Sequence, residues 1–324
     1  EHHGHVDAGT ETCGAMVGMV PGQPDLLRTL FLERALSHLQ PVRHLHRDLC
    51  VRIFQVGKNG ERKNVMKISI LTDNNPGGNI GAEHGLSYYV EHEGTKILID
   101  TGQSDLFLRN ALLMGIDLKE RDLIILSHGH FDHGNGLAHL SGGRLLCHPG
   151  CFVKRYRTVD HTYIGLKNSR DEIAEKFDLI LSKDPYRVSD SILFLGEIPR
   201  ITDFESQQTA FSFEDGTADY VMDDSAVALQ TDKGLFVITG CGHAGVVNTL
   251  EHAKKSTGEQ RIFGIMGGFH LKKRDRQTIE TIHYLGKNRV EHVIPSHCTA
   301  LPALEAFTER FHILSVKTGD TFTF

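Results

Sequence analysis

From Met66 onward, apolar positions fall into short runs separated by polar and glycine-containing breaks. Lys67-Ile68-Ser69-Ile70-Leu71 alternates with the period of a strand, and residues 87–91 and 96–100 read as a hairpin turning at Glu93-Gly94. Residues 105–114 have helical spacing. Leu106, Leu108, Ala111, Leu112 and Leu113 gather on a mostly apolar face, with Ser104 as the cap. Leu123-Ile124-Ile125-Leu126 is too short for a helix and β-branched enough for a buried strand. Further strands are predicted at 144–147, 191–195, 226–231, 235–239, 262–266 and 293–295, with helices at 246–255, 275–287 and 302–311. Strands alternating with helices mark a layered α/β protein. Residues 152–200, charged and aromatic with weak periodicity, fit this rhythm worst and read as a lid or a peripheral insertion.

The first 65 residues differ in kind. A glycine-rich opening, one short amphipathic helix at 25–39 and a polar run at 57–64 describe a poorly ordered extension joined by a linker to a domain over 66–324, with Met66 as a natural starting point. His2, His3 and His5 belong to that tail and are given no catalytic role. Apolar residues at 40% and charged residues at 23% are the balance of a globular protein. The net charge of −6 argues against nucleic acid as a partner. No run of apolar residues is long enough to span a membrane, and no basic-then-apolar leader opens the chain, so a membrane partner is not expected. Six scattered cysteines suit a reducing compartment, and the cytoplasm is the expected location. The number that changes the picture is 21 histidines, with no Trp, which directs attention to metal.

Ser127-His128-Gly129-His130-Phe131-Asp132-His133-Gly134 packs three imidazoles and a carboxylate behind a buried strand. In an extended segment i and i+2 point the same way, so His128 and His130 can grip one cation while Asp132 and His133, in the following turn, face a neighbouring one. One loop cannot close two sites. Three other apolar runs end in a small residue and then a histidine: Thr239-Gly240-Cys241-Gly242-His243, Gly267-Gly268-Phe269-His270 and Pro295-Ser296-His297-Cys298. An open sheet presents ligands at one edge in this way. Cys147 and Cys151 read as buried apolar residues, and His148 as a turn residue away from metal. Lys272-Lys273-Arg274-Asp275-Arg276 reads as a solvated basic face that reaches phosphate groups only if it lies beside the site.

The His128-x-His130-x-Asp132-His133 pattern resembles that of the metallo-β-lactamase superfamily of binuclear metallohydrolases, over about residues 66–324. The resemblance implies a four-layer αββα sandwich with metal at one edge between two sheets. It implies that His128 and His130 bind the first metal, and that Asp132, His133 and His297 bind the second. The sequence departs from the superfamily where a histidine usually precedes a strand pair, here Asp223-Asp224-Ser225, and where Thr-Gly-Asp usually follows it, here Thr239-Gly240-Cys241. His243 is taken as the missing first-site ligand, and Cys241, or else Asp223 or Asp224, as the replacement for the bridging carboxylate.

Within the superfamily, Asn74, Glu83-His84-Gly85-Leu86-Ser87, Asp100-Thr101-Gly102-Gln103, the Cys241 and His270 segments and Pro295-Ser296-His297-Cys298-Thr299 resemble one branch. It is grouped with the archaeal dihydropterin ribofuranosylaminobenzene phosphate synthase family, whose reaction releases diphosphate. The expected function is therefore binuclear metal-dependent hydrolysis of a small, anionic molecule, using two divalent ions, zinc first and manganese or iron as alternatives. A diphosphate-releasing transferase on the same site and a non-catalytic metal-stabilised sensor or binding module are the alternatives. Asp132 is expected to orient the attacking water, and Glu83, His84 and His270 to contact the substrate or support the ligands.

Overall fold

The apolar runs of the sequence are strands buried on both faces. A computed structural model describes residues 65–324; the extension before them, with its helix at 25–39, lies outside the described residues. In chain order come β1 (Lys67–Thr72), β2 (Ser87–His92), β3 (Thr95–Ile99), α1 (Leu106–Leu113), β4 (Leu123–Leu126), α2 (Phe131–Gly134), β5 (Arg144–Cys147), β6 (Arg155–Arg157), α3 (Arg170–Lys176) and β7 (Asp178–Leu181). Then follow β8 (Tyr186–Arg187), β9 (Ile192–Phe194), β10 (Phe211–Phe213), β11 (Ala226–Thr231), β12 (Gly234–Thr239), α4 (Val246–Thr257), β13 (Ile262–Gly268), α5 (Arg276–Lys287), β14 (His292–Ser296), α6 (Leu301–Thr308) and β15 (Thr321–Thr323).

One mixed sheet has the order β15-β1-β2-β3-β4-β5-β7, and the other β14-β13-β12-β11-β9-β8. Pairing is parallel from β3 through β4 and β5 to β7, and from β12 through β13 to β14, and antiparallel elsewhere in both sheets. Alternate residues on each strand enter different cores. Ile97 and Ile99, Ile125, Val227 and Leu229, and Phe236 and Ile238 meet between the sheets. Leu98, Ile124 and Leu126 turn outward to Phe107 and Ala111 of α1, whereas Ala228, Leu235 and Val237 turn to Leu250, Leu285 and Phe307 of α4, α5 and α6. Helix, sheet, sheet and helix form the expected αββα sandwich. Because both faces of each sheet are covered, the strands read as continuous apolar runs rather than as alternation with polar residues.

Two expectations change. On α1 the inward residues are Phe107, Asn110 and Ala111, while Leu112 and Leu113 are 80% and 68% exposed. A helix of eight residues offers only about two turns to the sheet, and the pair at i and i+4 takes them. The segment 152–200 divides: α3, β7 and β8 build into the layers, and only β6, paired antiparallel with β10, leaves them as a separate two-stranded ribbon. Asp178-Leu179-Ile180-Leu181 is a strand of the first sheet, at its edge, where a charged first residue and partial exposure weaken the apolar pattern. Among the described residues no helix is long and apolar enough to cross a membrane.

Candidate metal centre

The functional residues sit where parallel strands end. Asp100 follows β3, Ser127-His128-Gly129-His130 follows β4, Cys241 follows β12, His270 follows β13 and His297 follows β14. Asp100, His270 and His297 hold φ of 56°, 49° and 51°, a left-handed backbone that non-glycine residues rarely adopt and that concentrates at functional sites. Gly129, between two of the histidines, has no room for a side chain: a Cβ there would lie 1.9 Å from the Cys151 carbonyl oxygen.

Hydrogen bonds on the outer nitrogens fix which atoms face inward. The His133 Nδ1–H donates to Asp100 Oδ2 at 2.7 Å, and the Ser127 hydroxyl donates to the same oxygen at 2.7 Å. That leaves the hydroxyl to accept from His128 Nδ1 at 3.0 Å. The His297 Nδ1–H donates to Asn74 Oδ1 at 3.0 Å. In each of these rings Nε2 therefore carries the lone pair. Yet His133 Nε2 lies 3.1 Å from His297 Nε2, and His128 Nε2 lies 2.9 Å from His130 Nδ1. For His133 and His297, lone pairs facing each other this closely require a cation, proton or metal, between them, whereas a His130 Nδ1–H can donate to His128 Nε2.

Metal fits the spacing. Two donors about 2.1 Å from one ion and about 90–110° apart lie about 3.0–3.4 Å from each other. Asp132 Oδ2 is 3.4 Å from His297 Nε2 and 3.7 Å from His133 Nε2, and Cys241 Sγ is 3.2 Å from His133 Nε2. His128, Cys241 and His243 form one group, and His133, Cys241 and His297 another, with the donor atoms of each within 4.8 Å of one another. Cys241 is common to both. His243 Nε2 is buried without a partner, and its ring centroid is 5.0 Å from that of His128 and 4.9 Å from that of His130.

Protonation follows burial and charge. Burial lowers His128 and His243 well below the usual imidazole value and takes His130 down to about 3, leaving neutral donors at pH 7. Burial also works against the charged form of His133, but the Asp132 and Asp100 carboxylates outweigh it and lift His133 to about 9. Burial pushes Asp132 up, whereas His133, His297 and His84 together hold it well below the carboxylate range.

The structure brings His128, His130, Asp132, His133, His243 and His297 together with Cys241. It does not bring in Asp223 or Asp224, which were weighed as the bridging carboxylate. Asp223 pairs with Arg155 at 2.7 Å and accepts the Gly129 N–H at 2.8 Å, and Asp224 accepts the Ala244 N–H at 2.8 Å. Asp223 is committed on both oxygens, whereas Asp224 holds the Ala244 loop with Oδ2 and leaves Oδ1 buried without a partner. Glu83 also differs from the expectation of a substrate contact. Its carboxylate accepts the backbone N–H groups of Gln103 and Ser104 and the Ser104 hydroxyl, so it ties a loop. His84 and His270 do reach the site. His84 Nε2 is 3.1 Å from Asp132 Oδ2, a hydrogen bond that raises its pKa, and the His270 ring packs 4.3 Å from that of His243. His148 stands apart, with Nε2 3.2 Å from Glu197.

A cavity of about 520 Å³ opens on the cluster, lined by Asp132, Cys241, His243 and His297 and, opposite in chemistry, by Phe131, Tyr163, Ile164 and Phe211. Its size is that of a small-molecule site. Of the basic run only Lys272 lines it, while Arg274 and Arg276 pair with Glu309 and Asp203. The residues missed from sequence are Phe211, at the start of the three-residue β10, and Tyr163, outside any strand or helix, and the anchoring role of Asp100. An aspartate closing an apolar strand just before Thr101-Gly102 was the available signal for Asp100.

Residues 80–143 match the family described as the metallo-beta-lactamase superfamily. The 7,8-dihydropterin-6-methyl-4-(beta-D-ribofuranosyl)-aminobenzene-5'-phosphate synthase of Methanocaldococcus jannaschii is 33% identical over 76% of this chain and 92% of its own length. An uncharacterized protein of the same organism is 32% identical over 75% of this chain and 94% of its own. A crystal structure described as a metal-dependent hydrolase of the beta-lactamase superfamily superimposes with a TM-score of 0.70 at 30% identity, over 79% of this chain and 98% of its own.

Proposed function

The chain belongs to the metallo-beta-lactamase superfamily and is a metal-dependent enzyme of that fold, and from that premise we propose that it is a binuclear hydrolase of a small anionic molecule. The observation that carries the reading is Cys241, shared by two donor groups that could each hold a metal ion. His128, His130 and His243 would hold the first ion and Asp132, His133 and His297 the second, with the Cys241 sulfur available to both in place of a carboxylate. When bound, the two ions supply hydroxide from water at neutral pH and draw charge from a phosphoryl or carbonyl oxygen or a departing diphosphate.

The protein's own groups do the rest. Asp132, kept ionised by its neighbours, accepts the hydrogen bond that orients the attacking water. Asp100 and Asn74 fix the His133 and His297 rings so that only Nε2 faces inward. Lys272 and His270 line the cavity where an anionic substrate lies, and the Phe131, Phe211 and Ile164 side excludes water from its body. A transferase that releases diphosphate is the second reading, favoured by the 33% identity to a protein named as a phosphate synthase.

Elemental analysis of protein purified without chelator or added metal tests the site. Two equivalents of zinc, manganese or iron, falling towards one in His243→Ala and in His297→Ala, are expected. One equivalent or none, unchanged in both variants, would overturn the binuclear reading. Phosphoesters, diphosphates and lactones, with and without an acceptor amine, then separate hydrolysis from transfer.

A further inference from the structure

His84 is held in place by its neighbours rather than by its own exposed side chain. The Glu83 carboxylate is bound by Gln103 and Ser104, and the His84 carbonyl accepts from Gln103 Nε2 at 2.9 Å. Gly85 donates to Asn74 Oδ1, the oxygen that also holds His297, and Leu86 donates to the Asp132 carbonyl at 3.2 Å. A Cβ on Gly85 would come within 2.8 Å of that carbonyl oxygen, so the loop lies directly against the loop that carries Asp132. The imidazole is therefore delivered at a fixed height over the second donor group.

Its side chain is 57% exposed, yet Nε2 sits 3.1 Å from Asp132 Oδ2 and the ring stacks on His297 at 5.4 Å between centroids and 27° between planes. His84, Asp132 and His297 form a third donor group within 4.8 Å, sharing two members with the second ion's set. The 3.1 Å separation is short enough for two ligands on one ion as well as for a hydrogen bond. We infer that His84 is an additional ligand of the second ion, facing the cavity. This rests on the binuclear reading and deepens it. His84 would then join Asp132 and His297 on the cavity side of the second ion's donor set.

Cobalt(II) titration of the metal-free full chain, followed by visible absorption and by calorimetry, tests it in the unchanged protein, His84→Ala and His84→Gln. Gln keeps a donor for Asp132 but is a poor ligand. Both variants should bind the second equivalent at least about tenfold more weakly, the scale of losing even an outer partner of a metal site. Their second-equivalent absorption should also change, since the cobalt loses a ring nitrogen. The first equivalent, unchanged in both, serves as the control for folding. If both variants bind the second cobalt with the original affinity and spectrum, or if only Gln restores them, His84 serves Asp132 alone and the inference fails while the binuclear reading stands. A full chain that takes no second equivalent overturns both.

Discussion

Asp223 holds no ligand position, yet its removal should be among the costliest changes in the protein. It is 2% exposed, one oxygen meeting Arg155 Nη2 at 2.7 Å and the other receiving the Gly129 N–H at 2.8 Å. Arg155 is 1% exposed, with Asp219 as a second partner at 3.3 Å. Taking one member from a buried ion pair costs about 3–5 kcal/mol, and an amide left without an acceptor adds about 1–3 kcal/mol. Since Asp219 still faces the guanidinium, a loss of about 4 kcal/mol is expected for Asp223→Ala. At about 2–4 °C per kcal/mol for a domain of this size, that is a fall of about 8–16 °C in Tm. Burial raises the Asp223 carboxyl, but Arg155 outweighs it and holds the pKa below the ordinary 3.8. A depressed folded value means that the contribution is complete above the unfolded pKa and is lost as pH falls through the folded one, so pH 7 shows all of it. Thermal unfolding of chelator-treated protein measures the loss without metal. Asp223→Asn keeps an acceptor for Gly129 and should preserve metal stoichiometry while losing part of the stability. A change under about 1 kcal/mol for Asp223→Ala would refute the link between Arg155 and the metal loop.

The loop itself gives a sharper steric test. Gly129→Ala places a methyl 1.9 Å from a backbone oxygen that cannot yield easily, so it should cost about 1–3 kcal/mol or more and halve the metal content, read by unfolding and elemental analysis. A variant with full metal and unchanged stability would show that the loop has slack. Glu205 tests electrostatics on the far side of the second sheet, where its carboxylate accepts the Val247 and Asn248 N–H groups at the start of α4 at 2.8 Å each. Burial raises it to about 7, against these hydrogen bonds. A raised folded value gives stability that is whole below the unfolded pKa and lost as pH rises through about 7, worth about 3 kcal/mol. The stability difference between the unchanged protein and Glu205→Gln should therefore shrink by about that amount from acid to mildly alkaline pH. Parallel curves would contradict it.

Strands buried on both faces were legible because nothing polar interrupts them: β4 begins and ends where its apolar run does. Edge pieces were not. The residues of β7 are partly exposed, β6 and β10 are three residues each, and β15 closes the first sheet with only Thr321, Phe322 and Thr323. The Ser169/Glu172 capping box of α3 was present in the sequence, but seven residues show too few turns for periodicity to register. At the site, spacing alone drew attention to His128, His130, Asp132 and His133, because one short segment carries them from the end of β4 into α2. His243 and His297 needed the repeated strand-then-histidine pattern. The choice between Cys241 and the Asp223-Asp224 pair could not be made from sequence, since it depends on Arg155, 68 residues from Asp223 along the chain, claiming the carboxylate.

That choice has a consequence for charge. On the proposed binuclear reading, two divalent ions would bring four positive charges, and Asp132 and a Cys241 thiolate would return two, the same as a pair of carboxylates would. The histidines would be neutral donors, Asp223 is neutralised by Arg155, and Asp100 behind His133 would return a third charge. A centre so loaded would keep net positive charge. Lys272, whose Nζ donates to the Cys298 carbonyl at 2.7 Å, adds another beside the same cavity. In a chain whose overall charge is −6, this concentrates positive potential at one place, with an apolar wall to limit screening. A neutral substrate would gain little from it, whereas a phosphoester or diphosphate would be drawn in and held against the metal edge. On that reading, replacing the usual carboxylate by a thiolate would change the softness of the bridge without spending the charge that selects an anion.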